Sequence, residues 1–130
     1  MSTTKNFILI DDEPTCNFLS EVSIKRVFQN SHVSAFTDPE AGLKFIKEIY
    51  QLHPIEAVLF LDINMPKWSG WDVLEKISHC PLEVTNKLKI YVLSSSVDPE
   101  DRRKAAESSF VKGFIEKPIT RVGLQNIFND

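Results

Sequence analysis

Five short apolar runs, separated by segments of helical spacing, constrain this chain more than any other feature. The runs are Phe7 to Ile10, Val33 to Phe36, Ala57 to Leu61, Ile90 to Leu93, and Phe114 with Ile115. Between them, apolar residues recur at three- and four-residue steps. Phe18, Leu19 and Val22 are followed by Ile24, Val27 and Phe28, then by Leu43, Ile46, Ile49 and Tyr50. Trp71, Leu74 and Ile77 give a shorter stripe, and Leu124, Ile127 and Phe128 the last. Helix starts are marked at Asp38-Pro39-Glu40 and Asp98-Pro99-Glu100-Asp101. In each, an Asp can accept from an orphan backbone N–H, Pro fits the first helical position, and acids face the positive helix end. Thr120 is placed to cap the last helix.

Strand and helix thus alternate five times. Alternation implies parallel strands joined by right-handed crossovers. The first, third and fourth runs are almost wholly apolar, as strands covered on both faces are. The second and fifth are shorter or more polar, as edges are. The expected fold is therefore α/β, a doubly wound (βα)5 flavodoxin-like sandwich with a parallel sheet of order 2-1-3-4-5. In such sheets ligands sit beyond the carboxyl ends of the strands where the winding reverses, here between strands one and three.

Length and composition fit that frame. A chain of 130 residues suits one domain, expected to span residues 1–130. With 42% hydrophobic and 25% charged residues it is not a disordered chain, and a net charge of −3 gives no broad basic field for nucleic acid. Cys16 and Cys80 stand in no metal-ligand or redox pattern and are expected as reduced thiols. There is no signal-peptide pattern, and the longest apolar run, Ala57 to Leu61, is too short to span a bilayer. A cytoplasmic protein with no membrane or nucleic-acid partner is expected.

Polar chemistry does cluster just after the apolar runs. Strand one leads into Asp11-Asp12-Glu13, and strand three into Asp62-Ile63-Asn64-Met65-Pro66 and then Gly70. Strand four ends in Ser94-Ser95-Ser96 and strand five in Lys117-Pro118. Taken singly, each has an ordinary explanation: acids at a helix start, a loop carboxylate, a solvated serine or lysine. Their joint placement at adjacent strand ends is harder to explain that way. Asp11, Asp12 and Asp62 should converge, and three such charges raise one another's pKa unless a cation intervenes. Hard carboxylate and carbonyl oxygens suit Mg²⁺, with Mn²⁺ a possible substitute. Lys117 can set a compact positive charge against a phosphoryl group or a carboxylate. An X-Pro bond is the usual place for a cis peptide, so Lys117-Pro118 is a candidate for one.

These motifs, from about Lys5 to Phe128, resemble a response-regulator receiver domain of the CheY-like family of two-component signalling. The resemblance implies that Asp62 is the phospho-acceptor. Asp12 and Asp62 would bind Mg²⁺ through carboxylates and Asn64 through its backbone carbonyl, with Asp11 orienting metal-bound water. Lys117 would contact the phosphoryl oxygens, and Ser94 would be the hydroxyl that swings toward them. Phe114 matches the aromatic switch position, where the family often has Tyr. Asn64 and Ser96 match positions that tune the lifetime of the acyl phosphate. The implied phosphodonor is a histidine kinase or histidine phosphotransfer protein. The implied output is an effector protein docking on the face of helix four, strand five and helix five. With one receiver expected over the 130 residues, that output is expected to lie on another protein.

Other readings are weaker. A phosphorelay intermediate passing phosphate to another histidine remains open within the same family. A Mg²⁺-dependent aspartyl-phosphate phosphohydrolase would need a second Asp where Asn64 stands, and room for a substrate cap. A flavodoxin-like electron carrier would need a hydroxyl-rich phosphate loop where Asp11-Asp12-Glu13 stands. A degenerate receiver would lack part of the motif set. No enzyme beyond self-phosphorylation and dephosphorylation is expected. His32, His53 and His79 are expected as surface residues. Trp68 and Trp71 flank Gly70 as packing or contact residues, and Arg102-Arg103-Lys104 forms a solvated face of the fourth helix, with an interface role open to it.

Overall fold

The protein is described by a computed structural model over residues 4–95 and 98–128. The strands are β1 (Lys5–Ile10), β2 (Ser31–Phe36), β3 (Ala57–Asp62), β4 (Leu88–Ser94) and β5 (Val111–Glu116). The helices are α1 (Pro14–Val27), α2 (Pro39–Glu48), α3 (Gly70–Ser78), α4 (Leu82–Thr85), α5 (Pro99–Glu107) and α6 (Arg121–Phe128), with a 3-10 turn at Tyr50–Leu52. All five strands are parallel, in the order β2-β1-β3-β4-β5. Strand β3, apolar up to its terminal Asp62, is buried along its whole length and lies at the centre, while the more polar β2 and β5 form the edges.

Strand alternation sorts the core into two layers. Ile8, Ile10, Leu59, Leu61, Ile90 and Val92 pack with residues of α2 to α5, among them Leu43, Ile46, Val73, Ile77, Val84 and Ala105. Phe7, Leu9, Val58, Phe60, Leu93 and Ile115 pack with Ile24 of α1 and Leu124 of α6. A core on each face is what winding in both directions requires.

The expected helix starts form. Asp38 and Asp98 accept from the backbone N–H of Glu40 and Glu100 at 3.1 and 2.9 Å. Thr120 Oγ1 accepts from the N–H of Gly123 at 3.0 Å. A reciprocal capping box between Ser69 and Asp72 starts α3.

Two expectations change. The fivefold alternation is interrupted by α4, a single turn that buries Val84 and leaves Leu82 exposed. It is too short to show a stripe, and it makes the helix that starts at Asp98 the fifth rather than the fourth. In α1 the stripe is rotated: Phe18 and Leu19 are 66% and 43% exposed, and the buried residues are Asn17, Ser20 and Ile24. The cause is local. Asn17 Nδ2 donates to the carbonyls of Asp11 and Phe36 at 3.0 and 3.2 Å. Both amide N–H donors are used, while Asn17 Oδ1 is buried without a hydrogen-bond partner; anchoring Asn17 inward turns Phe18 outward.

Candidate functional site

Adjacent parallel strands deliver adjacent side chains at their ends. Ile10 of β1 lies opposite Leu61 of β3, so Asp11 and Asp62 emerge side by side at the switch point. One carboxylate oxygen from each of Asp11, Asp12 and Asp62 lies within 4.8 Å of the others. Asp11 and Asp62 are buried, and Asp12 is half-buried.

Lys117 enters from the end of β5, where its N–H donates to the carbonyl of Ser94 at 2.7 Å and the Lys117-Pro118 bond is cis. Its Nζ lies 3.1 Å from Asp11 Oδ2, 3.3 Å from Asp62 Oδ2 and 3.1 Å from Glu13 Oε1. The backbone aims the carboxylates. The N–H of Asn64 donates to Asp62 Oδ1 at 3.0 Å, and that of Glu13 to Asp11 Oδ1 at 3.0 Å.

Gly70 supports the loop from behind. Its N–H donates to the carbonyl of Ile63 at 3.2 Å. A Cβ there would lie 2.7 Å from both the Asp62 carbonyl oxygen and Ile63 Cα, so α3 can begin this close to the site only from a glycine. Ser94 is fully buried, and its Oγ accepts from Asn64 Nδ2 at 3.3 Å.

The charges are strongly perturbed. Burial pushes Asp62 up to about 7; the Asn64 N–H opposes this, the charge of Asp11 adds to it, and Lys117 opposes it. For Lys117, burial pulls the ammonium down, but Glu13, Asp62 and Asp11 outweigh it and hold the group above its ordinary value. The hydrogen bond from Lys117 holds Glu13 below its ordinary value, and that from Cys16 acts in the same direction.

Three hard carboxylates gathered around one point fit a hard divalent cation, which would relieve the repulsion from Asp11 that adds to the effect of burial on Asp62. A second cluster, Asp11, Glu13 and Cys16, also has its ligand atoms within 4.8 Å. It suits such a cation less, because sulfur is a soft donor and burial pushes the Cys16 thiol up, keeping it protonated.

The family model described as the response regulator receiver domain matches residues 7–129. The chain belongs to that family. A two-component response regulator from Cytophaga hutchinsonii superposes with a TM-score of 0.88 at 29% identity, over 98% of this chain and 96% of that one. A receiver protein from Dyadobacter fermentans gives 0.84 at 21% identity, over 96% and 94% of the two chains. The Vibrio cholerae chemotaxis protein CheY4 gives 0.76 at 16% identity, over 96% of each. The last two likenesses concern the fold.

A curated Vibrio cholerae protein named "Probable cyclic di-GMP phosphodiesterase" is 35% identical over 114 residues. The match takes in 87% of this chain but 23% of that protein. The chain therefore spans less than a quarter of the length of this relative.

Within this receiver, Asp11, Asp12, Asp62 and Lys117 gather as the sequence suggested, with Asn64 and Ser94 joined beside them. Phe114 stands apart, half-buried on β5 beneath α5. The register shifts between Ile90 and Tyr91, so that Tyr91 pairs with Gly113 and Val92 with Phe114. An extra residue of this kind re-aims the side chains that follow it.

Ser95 is exposed, and Ser96 lies outside the described residues. The three histidines are exposed, and both tryptophans are half-buried. Three features escaped sequence reasoning: Glu13 as an acceptor for Lys117, Asn17 as the tie behind Asp11, and Arg102 over Phe114. The signal for Glu13 was present, as a third consecutive acid; the other two need the fold. No described helix is long and apolar enough to cross a membrane.

Proposed function

We propose that this receiver takes a phosphoryl group onto Asp62 from a phosphohistidine of a histidine kinase or histidine phosphotransfer protein, and signals the change to an effector protein. The observation that carries the proposal is the buried Asp62 carboxylate at the sheet's switch point, 3.3 Å from the ammonium of Lys117. Receivers are signalling switches rather than ordinary enzymes, and the remaining roles follow from position.

In the transfer, an Asp62 oxygen forms a bond to phosphorus as the P–N bond of the phosphohistidine breaks, and the leaving imidazole retains the electron pair. Asp62 must be ionised to attack. The Asn64 N–H holds Oδ1, which leaves the carboxylate oriented toward Lys117. Asp11, Asp12 and Asp62, with the Asn64 carbonyl, would hold Mg²⁺ or Mn²⁺, which when bound neutralises charge on the phosphoryl oxygens. The protein's contribution is placement and charge rather than covalent chemistry of its own.

Phosphorylation replaces one carboxylate with a larger, more highly charged acceptor. Lys117 turns to its oxygens, and the Ser94 hydroxyl, whose oxygen accepts from Asn64, donates to the phosphoryl group. The loop after β4, α5 and Phe114 then form the element whose two arrangements the site biases. Moving such an element from 1:99 to 99:1 takes about 5.5 kcal/mol, and one charge-assisted hydrogen bond contributes about 1.5–3 kcal/mol. Two or three such bonds must act together, so Ser94 and Lys117 are both needed. The effector would read the face of α5, β5 and α6 in the cytoplasm.

Labelling with acetyl phosphate and Mg²⁺ tests the acceptor. Wild type gains one phosphoryl group by intact mass, and Asp62→Asn gains none. Persistent labelling of the variant would overturn the assignment.

A further inference from the structure

Taking phosphoryl acceptance at Asp62 as given, we infer that Glu13 is a positioning residue: its carboxylate holds one donor of Lys117 in reserve until the phosphoryl group arrives. An ammonium has three N–H donors. Lys117 donates them to Asp11 Oδ1, Asp62 Oδ2 and Glu13 Oε1, at 3.4, 3.3 and 3.1 Å. Two of these acceptors are buried and belong to the cation site. Glu13 is not among that site's three carboxylates, and its side chain is 59% exposed. Of the three, it alone can swing into water at little cost.

Two consequences follow. Before phosphorylation, Glu13 draws Lys117 partly away from Asp11 and Asp62, which leaves their oxygens more available to a cation. During phosphorylation, Glu13 competes with the phosphoryl oxygens for the same ammonium, and its charge opposes the incoming anion. The weak Cys16 thiol donor, 3.5 Å from the same Glu13 Oε1, favours the engaged position.

Glu13→Gln therefore moves two measurements in opposite directions, which a general loosening of the loop would not do. Mg²⁺ affinity, titrated calorimetrically with MgCl2 and no phosphodonor, falls about two- to five-fold, in keeping with one exposed ion pair. Labelling by acetyl phosphate at saturating Mg²⁺ becomes about two- to five-fold faster on the same grounds. In a Lys117→Met background the effect on Mg²⁺ affinity disappears, because Glu13 acts through that lysine. Unchanged Mg²⁺ affinity, a fall that survives in the Lys117→Met background, or labelling that is unchanged or slower would each overturn the inference. If wild type takes no label at all, the acceptor assignment fails, while the Mg²⁺ titrations still decide the role of Glu13.

Discussion

The guanidinium of Arg102 lies over the ring of Phe114, its Cζ 4.8 Å from the ring centroid. The contact ties the exposed edge of α5 to the aromatic of β5 proposed to report activation. The basic run that looked like a solvated face is thus divided among three tasks. Arg103 pairs with Glu100 and Glu107 on its own helix. Lys104 lies over the ring of Trp71, with Nζ 5.6 Å from the centroid. Arg102 alone reaches the sheet edge.

Removing that contact should cost stability. A cation over an aromatic face at a partly exposed site contributes about 0.5–1 kcal/mol. Arg102→Ala is expected to lower the urea midpoint by the corresponding amount, with an unchanged slope. The same substitution in a Phe114→Leu background should cost less, since the ring is gone. Equal losses in the two backgrounds would show that Arg102 stabilises by some other route.

The raised pKa of Asp62 has a definite sign for stability. Unfolded, the group releases its proton near its ordinary value of 3.8; folded, it keeps it up to about 7. Between those values the native state binds the extra proton. Asp62 therefore contributes stability that is full below about pH 4 and is lost as pH rises toward and through 7. The full span corresponds to about 4 kcal/mol at 1.36 kcal/mol per unit. Without divalent cation, wild type should melt at higher temperature at pH 5 than at pH 8. Asp62→Asn should lack most of this difference and be the more stable protein at pH 8. Added Mg²⁺ should stabilise wild type more at pH 8 than at pH 6, because it needs the ionised carboxylate. A pH-independent gap between the two proteins would contradict the buried acid.

Gly70 and Gly42 offer a controlled comparison. A Cβ on Gly70 would collide with backbone, 2.7 Å from the Asp62 carbonyl oxygen and from Ile63 Cα. On Gly42 it would meet the Ile10 side chain at 2.6 Å, and a side chain can repack. Overpacking costs about 1–3 kcal/mol, and Gly70→Ala should lie at or above the top of that range while Gly42→Ala lies lower. Because the collision at Gly70 displaces the loop that carries Asp62, acetyl phosphate labelling should fall in Gly70→Ala and not in Gly42→Ala. Chemical denaturation and mass spectrometry on the same samples check both.

Much of this was legible because parallel sheets place their chemistry by a simple rule. The apolar run Ala57 to Leu61 had to be central, so Asp62 had to fall at the switch point beside Asp11, and Lys117 and Ser94 at neighbouring strand ends. Where the rule is local, as in the Asp-Pro helix starts, the sequence also sufficed. It failed where a side chain's partner lies far along the chain. Phe18 and Leu19 look like core residues until Asn17 is seen to hold the carbonyls of Asp11 and Phe36, which only the β1–β2 pairing brings together. Single-turn α4 is shorter than the helical period needs to show itself. Arg102 finds Phe114 only once α5 has packed across β5 and the register shift has turned the ring toward it.

Trp71 links the site to α5. It follows Gly70, and its Nε1 donates to Asp101 Oδ1 at 3.3 Å, from α3 across to α5. In the proposed switch α5 moves when Asp62 is phosphorylated, and this bond is one that must stretch or break. Trp71→Phe keeps most of the ring and removes the donor, so it should cost about 0.5–1.5 kcal/mol. Asp101→Ala should cost a similar amount, and the double variant little more than either, since both remove one bond. The same variants should need less phosphodonor to reach half-maximal change in amide exchange over α5, because the unphosphorylated arrangement has lost a tie. Additive stability losses would show that the two side chains do not act as a pair. An unshifted exchange response in variants that do lose stability would show that the bond holds the two helices together without restraining the switch.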